Sequence, residues 1–447
     1  MKKLFGTDGI RGLVDKDLTP ELAFRVGKAF GFIIQQQCAG SPKVVIGRDT
    51  RSSCELLENS LSSGLASQGV DVSLVDIIPT PGLAFLTRTG GFAAGIMISA
   101  SHNPAEYNGL KFMGHDGFKL SDQEELKIET LLENYDRTNF PNQHPGAIQR
   151  DINAAIKYLD YLKQIEKIPL GGLKVVIDLA NGAAYSLAPQ LLASLGANVK
   201  VISDKPNGTN INFNCGSTHI ENLQRVMQSE HADVGFAFDG DGDRILAVDE
   251  KAEVVDGDQI ILIAALELAR EGRLHNNIVV TTVLSNYGLE EALKLHSIIL
   301  KRTQVGDRYV VEEMIRSGAT LGGEQSGHVV FLDYNTAGDG LITAVKLLTT
   351  LKKSGSKLST LASEMTRYPQ VHLNVKVKNT SDWESNYLIQ EAISNAEREI
   401  HGQGRVVVRA SGTEPLIRIM VEGKDDSMIR QMAEELAQVV RSAIGSH

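Results

Sequence analysis

Three stretches of the chain repeat one alternation of hydrophobic and polar positions: a β-branched apolar run, a polar or glycine-bearing turn, a helical spacing of apolar residues, and a second apolar run. They begin at Lys43 (KVVIGRDTRSSCELLENSLSSGLASQGVDVSLV), Lys174 (KVVIDLANGAAYSLAPQLLASLGANVKVI) and Ile278 (IVVTTVLSNYGLEEALKLHSIIL). Each predicts strand, helix and strand, with a loop at the C-terminal end of the first strand, where open α/β sheets place their ligands. Three such units predict three related α/β domains, or three domains that share only the common α/β grammar. After Thr366 the pattern changes. VHLNVKV alternates as a half-buried strand, Trp383 to Ile400 has helical spacing, RVVVRASGTEPLIRIMVEG reads as two strands around a loop, and a closing helix follows. This predicts a small α+β domain of a different kind. The stretch 139–146 (NFPNQHPG) has the proline and glycine of a connection, and Ile152 to Ile165 reads as a helix bridging to the second unit. The expected divisions are 1–155, 156–255, 256–367 and 368–447.

Composition narrows the function classes. The chain has 447 residues, and 45 Lys plus Arg against 55 Asp plus Glu leave a net charge of −10. An acidic surface argues against nucleic acid or an anionic membrane as partner. Cys38, Cys54 and Cys215 are too scattered for a zinc site or a disulfide framework, so a reducing cytoplasm fits best. The start, MKKLFGTDGIRG, reaches glycine and aspartate before a signal-peptide core develops. The longest apolar stretch, Ile260 to Ala269, is broken by Glu267 and is far shorter than the ~20 residues that span a bilayer.

The chemistry concentrates in four loops. Asp239-Gly-Asp241-Gly-Asp243-Arg244 follows the apolar run VGFAF. Carboxylates alternating with glycine in a tight turn converge on one hard cation, and magnesium is the natural occupant. An EF-hand is the alternative, with Glu250 at its twelfth position, but Arg244 stands where that loop needs glycine and both flanks read as strands. In GIMISASHNPAEYNGLKF a buried strand delivers Ser99, Ser101, His102 and Asn103 into a loop, with Lys111 beyond it. The Gly-x-Ser-x-Gly elbow of hydrolases is absent. A Ser-His-Asp triad stays open, although adjacent side chains on extended backbone diverge. Arg409-Ala-Ser411-Gly412-Thr413-Glu414-Pro415, followed by Arg418, suits a phosphate dianion, with guanidinium donors and an anion-binding turn. Gly322-Gly323-Glu324-Gln325-Ser326-Gly327-His328 mixes donors and acceptors as a polyhydroxylated ligand requires. The opening Gly6 to Gly12 turn carries Arg11. A cation site, a candidate nucleophilic serine, a phosphate cradle and a hydroxyl-reading loop together point to a sugar phosphate handled at both ends.

ISASHNP, DGDGDR, GEQSGH and RASGTEPLIRIMVEG, in this order and over Gly6 to Gly423, resemble the α-D-phosphohexomutase superfamily. The resemblance implies three similar α/β domains with mixed sheets around a central cleft, plus a smaller C-terminal α+β domain. It implies phosphoserine chemistry at Ser101 and a magnesium ion held by Asp239, Asp241, Asp243 and an oxygen on Ser101. Within the superfamily, GTDGIRG, GEQSGH and SGTEPLIRIMVEG are nearest the branch that interconverts glucosamine 6-phosphate and glucosamine 1-phosphate for UDP-N-acetylglucosamine and cell-wall precursors. That reaction runs through glucosamine 1,6-bisphosphate, which also serves as activator. Tyr107, ahead of Asn-Gly, is instead as in the branch acting on neutral hexose phosphates, which is the alternative.

By the same resemblance Arg11, Lys111, Arg244 and His328 line the reaction centre. Lys111, with Arg11, is the candidate for proton transfer or charge stabilisation, and the normal pKa of arginine favours Lys111 for the proton. His102 orients the serine loop, Glu324 and Ser326 take sugar hydroxyls, and Arg409, Ser411, Gly412, Thr413 and Arg418 hold the phosphate that does not react. The expected partner is a small phosphosugar, with room for a homodimer.

Overall fold

A computed structural model describes residues 4–6, 8–38, 40–141, 143–380, 383–411 and 414–445. All three strand–helix–strand units form: Lys43–Arg48, Cys54–Ala66 and Asp71–Ile77; Lys174–Asp178, Leu187–Ser194 and Asn198–Ile202; Ile278–Thr282, Tyr287–Leu295 and Ile299–Thr303. The bridging helix is Ala154–Leu162, slightly shorter than its sequence pattern. Residues 1–282 and 301–362 make one compact unit, and residues 283–300 with 363–447 make another.

In the first unit, a seven-stranded sheet runs Phe5–Gly6, Gly9–Leu13, Tyr107–Gly114, Ala94–Ile98, Lys43–Arg48, Asp71–Ile77, Ile148–Arg150. Lys43–Arg48 pairs in parallel with both neighbours, while Tyr107–Gly114 runs antiparallel to Ala94–Ile98. The β-branched run from Lys43 is buried on both faces, as a central parallel strand must be. Val44 and Ile46 join one core with Phe30, Leu57, Leu61 and Leu65, whereas Val45 joins another with Leu83, Leu86 and Met97. Each such side chain, fully buried, contributes about 1.5–3 kcal/mol of transfer free energy. A five-stranded sheet has Lys174–Asp178 parallel to Asn198–Ile202 and to Val234–Phe238, with Ile245–Val248 antiparallel on the far side. In the third sheet Ile278–Thr282 lies parallel to Leu321–Gly323, which turns back antiparallel into Val329–Phe331. The sheets are therefore mixed. Among the described residues, no helix is long and apolar enough to cross a membrane.

The second unit carries an antiparallel sheet in the order Gln370–Lys376, Leu416–Gly423, Gly404–Ala410. Helices Tyr387–Ile400 and Asp426–Ile444 are capped by Asn386 and Asp425, whose side chains accept first-turn N–H bonds. Ile417, Ile419 and Val421 alternate into a core with Ile400, Ile429, Met432 and Leu436. That alternation leaves Arg418 on the opposite face of the sheet.

Candidate active site

The buried strand Ala94–Ile98 ends in the serine loop. Ser101 is 1% exposed and left-handed, with φ of +52°. Its hydroxyl donates to Asp239 Oδ2 at 2.6 Å and lies 3.3 Å from His102 Nδ1. The expectation that Ser101 and His102 diverge therefore fails, because it assumed extended backbone. No relay through histidine results, since the carboxylate meets the serine directly. Burial, then the charges of Arg244 and Arg11, lowers the His102 imidazole to about 4. His102 is thus neutral near pH 7 and suited to orienting the hydroxyl.

Asp239, Asp241 and Asp243 lie in the turn between Val234–Phe238 and Ile245–Val248, all buried, with ligand oxygens within 4.8 Å of one another. Strand flanks rule out the EF-hand, and Glu250 instead accepts the Ser359 hydroxyl at 2.5 Å. Glycine is required within the turn: a Cβ on Gly240 would sit 2.5 Å from the Ser101 carbonyl oxygen. Burial and the neighbouring Asp243 and Asp241 push the Asp239 carboxyl well above its usual range. Asp241 Oδ1 and Asp243 Oδ1 are buried without a hydrogen-bond partner. Converging carboxylates with orphaned oxygens fit a hard divalent cation, which supplies the charge that the protein leaves uncompensated.

Lys111 comes from Tyr107–Gly114 and is 1% exposed. Its ammonium lies 2.7 Å from Asp241 Oδ2, 3.1 Å from Asp8 Oδ2 and 3.3 Å from Asp243 Oδ2. Burial would lower its pKa, yet these carboxylates outweigh it and hold the group well above its ordinary value. Burial likewise would raise Asp241, but Lys111 and the Thr80 hydroxyl keep it below the carboxylate range. Arg11 pairs with Asp8 at 2.5 Å and donates to Asn103 Oδ1 at 3.4 Å. The Arg244 N–H donates to Asp239 Oδ1 at 3.1 Å, and its guanidinium approaches Asp243 at 4.0 Å.

His328 is 3% exposed and lies 3.4 Å from Asp307 through Nε2. Lys119 bridges Asp307, at 2.5 Å, and Asp8. A backbone bridge between Arg244 and His328 ties the sugar-loop residues to the acidic turn. Glu324 is half-buried and accepts the Gly306 N–H at 3.3 Å, while Ser326 is exposed. Thus the first unit gathers Arg11, Ser101, His102, Lys111, the three aspartates, Arg244 and His328 into one connected set.

Sequence reasoning missed Asp8, Asp49, Arg51, Thr80, Lys119, Asn212 and Asp307. Asp8 stood in the GTDGIRG turn, and Asp49 and Arg51 in the loop after a predicted strand, so position was a signal for these. Lys119 and Asp307 carried none, since single charged residues in ordinary segments say nothing until their partners are known.

In the second unit, Arg409 and Arg418 are cross-strand partners. Arg418 donates to Ser411 Oγ at 3.4 Å and approaches Glu414 at 3.6 Å, while its buried Nε has no partner. Burial, then the charge of Arg418, lowers the Arg409 guanidinium from its ordinary value. Directly opposed like charges are unfavourable, and an anion relieves them. Gly412 and Thr413 lie outside the described residues.

Comparisons with known proteins agree with this assembly. Models of phosphoglucomutase/phosphomannomutase alpha/beta/alpha domains I, II and III match residues 2–139, 156–253 and 256–368, and the C-terminal domain matches 373–439. A phosphoglucosamine mutase of Shouchella clausii is 50% identical over 447 residues, covering 100% of both chains. One from Thermoanaerobacter sp. is 51% identical, covering 98% of this chain and 99% of the relative. A crystal structure of a phosphoglucomutase/phosphomannomutase family protein from Burkholderia thailandensis is 26% identical with a TM-score of 0.83, covering 99% of this chain and 98% of that one. With four loops on the matching domains and identity near one half along the whole length, the chain belongs to the phosphoglucomutase/phosphomannomutase family.

Proposed function

We propose that the chain interconverts glucosamine 6-phosphate and glucosamine 1-phosphate through a phosphorylated Ser101 and glucosamine 1,6-bisphosphate. The observation that carries the reading is the buried Ser101 hydroxyl, 2.6 Å from a carboxylate of the aspartate triplet. The full-length identity to phosphoglucosamine mutases supports the choice of sugar. Phosphoserine gives its phosphoryl group to the free sugar hydroxyl: the phosphorus–Oγ bond breaks, a phosphorus–sugar oxygen bond forms, and the hydroxyl proton passes to the Ser101 Oγ that the phosphoryl group has left; the return transfer moves a proton the other way. The bisphosphate then returns its other phosphoryl group to Ser101.

Asp239, Asp241, Asp243 and an oxygen on Ser101 would hold magnesium, which neutralises charge on the transferring phosphoryl group. Lys111, whose ammonium lies among Asp8, Asp241 and Asp243, supplies positive charge beside Ser101 and is the candidate for proton transfer. Arg11 and Arg244 add positive charge beside the serine loop, and His102 orients that loop. His328, Glu324 and Ser326 read the sugar, whereas Arg409, Ser411 and Arg418, with Gly412 and Thr413, hold the phosphate that is not reacting. The divisions 1–155, 156–255, 256–367 and 368–447 each carry one of the four candidate loops.

The test has two parts. Intact mass with site mapping after incubation with glucosamine 1,6-bisphosphate should place one phosphate on Ser101. Turnover should favour glucosamine 6-phosphate over mannose 6-phosphate and glucose 6-phosphate by at least about tenfold, about 1.4 kcal/mol in transition-state binding. Preference for a neutral sugar would overturn the glucosamine assignment. The part of Tyr107 that the serine loop uses is its carbonyl, which accepts from Arg51 at 2.9 Å, a service any residue can provide.

A further inference from the structure

The backbone of the serine loop is held as firmly as its hydroxyl. The Ser101 carbonyl accepts from Arg51 Nη2 at 3.0 Å and from Asn212 Nδ2 at 2.9 Å. The same two side chains reach the Asn103 carbonyl, at 2.8 Å and 3.0 Å. Arg51 Nη1 donates to the carbonyls of Tyr107, at 2.9 Å, and Pro104, and Nε donates to Asp49 Oδ2 at 2.9 Å. A guanidinium has five N–H donors in a rigid fork, and here every one is spent on the serine loop or on Asp49. Asp49 closes a ring: it accepts the Ser99 hydroxyl at 2.7 Å, whose oxygen accepts the Ser101 N–H at 2.9 Å.

Arg51 is 1% exposed and Asp49 is fully buried. Neither they nor Asn212 bond to the Ser101 hydroxyl; they bond to the peptide groups that set where it points. A left-handed, non-glycine residue persists only where its surroundings over-determine it, and two donors on one carbonyl with an acceptor on its amide do so. Arg51 comes from the loop after Lys43–Arg48, while Asn212 follows the strand Asn198–Ile202 of the other sheet. The loop is thus clamped from both sides.

We propose that Arg51 and Asn212 are positioning residues that return the Ser101 phosphoryl group to one place in both half-reactions. This rests on the phosphoserine reading. One enzyme-borne group must meet two different sugar oxygens in line, and transfer rates fall steeply when reacting atoms are misplaced by about 1 Å. A loop that drifted between the two transfers would slow both without altering how the sugar is bound.

The test compares the full-length wild type with Asn212→Ala and Arg51→Lys. The lysine keeps the positive charge beside Asp49 but offers three donors to five acceptors. Asn212→Ala should lower kcat about 10- to 100-fold with KM for glucosamine 6-phosphate within about twofold, and Arg51→Lys should lower kcat by at least about 100-fold. Both should retain the wild-type circular dichroism spectrum at assay temperature. Both should also take phosphate from glucosamine 1,6-bisphosphate onto Ser101 more slowly, measured by intact mass. Wild-type kcat in Asn212→Ala overturns the clamp, as does a kcat loss no larger than the loss of folded protein. A wild type that never acquires phosphate on Ser101 defeats the phosphoserine reading instead, so the two failures are distinct.

Discussion

The acidic turn with its serine loop and the Arg409–Arg418 hairpin carry opposite solutions to holding charge. In the first, Lys111 is surrounded by Asp8, Asp241 and Asp243, and the uncompensated carboxylate oxygens are Asp241 Oδ1 and Asp243 Oδ1, beside Asp239. Most of its charge is compensated inside the protein, and what is left over has the sign and geometry for a cation. In the second, two guanidiniums face each other across paired strands, with one serine and one glutamate at the edge of hydrogen-bond range. That leftover charge suits an anion. A prebuilt, buried site fits a group that performs chemistry, because fixed dipoles cost no reorganisation at the moment of transfer. A half-buried, like-charged pair fits a group that binds and releases a phosphate each cycle.

The comparison can be broken by removing the serine. Ser101→Ala should abolish mutase turnover, by about a thousandfold or more, with little change in melting temperature, since one hydroxyl is lost from a packed loop. Wild-type turnover would refute the intermediate. Asp241→Asn comes next: it should cost about 100-fold or more in magnesium-dependent activity, measured as kcat against magnesium concentration, because the cluster loses one anionic ligand and Lys111 a partner. Unchanged activity at low magnesium would count against the cation site.

At the hairpin the loss should take another form. Arg418→Ala should raise KM about 10- to 100-fold with a smaller change in kcat, as expected for binding energy shared by ground and transition states. A kcat-only effect would erase the contrast between the two regions. The smallest effects belong to the buried thiols behind the first site. Burial, with Asp178 nearby, raises the Cys215 thiol from 9.0 to about 11, and burial with Asp49 holds the Cys54 thiol well above its ordinary value. In native protein near pH 8, Cys38 should react with a thiol reagent while Cys54 and Cys215 stay protected. A thiol whose pKa is raised by folding stabilises the protein fully below the unfolded pKa. From Cys215, stability should therefore decline as pH climbs from 9.0 towards about 11, measured by denaturant midpoint.

Much of the fold was legible because its grammar is local. The run KVVIGR is β-branched and apolar on both faces, so only a central strand buries it, and the strand appears where the pattern put it. The aspartate turn was legible for the same reason, since three ligands within five residues need only one tight bend. What defeated reasoning from the sequence was backbone state. His102 was set apart from Ser101 on the assumption of an extended chain, and a left-handed Ser101 brought them to 3.3 Å.

The sequence by itself determined the strand–helix–strand units, the change of grammar after Thr366, the metal-suited turn, the serine loop and the arginine loop, because each is encoded in neighbouring residues. Only the tertiary structure decided that Ser101 meets Asp239 across 138 residues, that Lys111 is a pinned cation, and that Asp8 and Asp307 share Lys119. It also decided that all five donors of Arg51 go to the serine loop and Asp49. The physical reason is that a charge or a donor acquires its role from its partner. Partners far apart in the chain are chosen by how sheets and helices pack, which no short window of sequence contains.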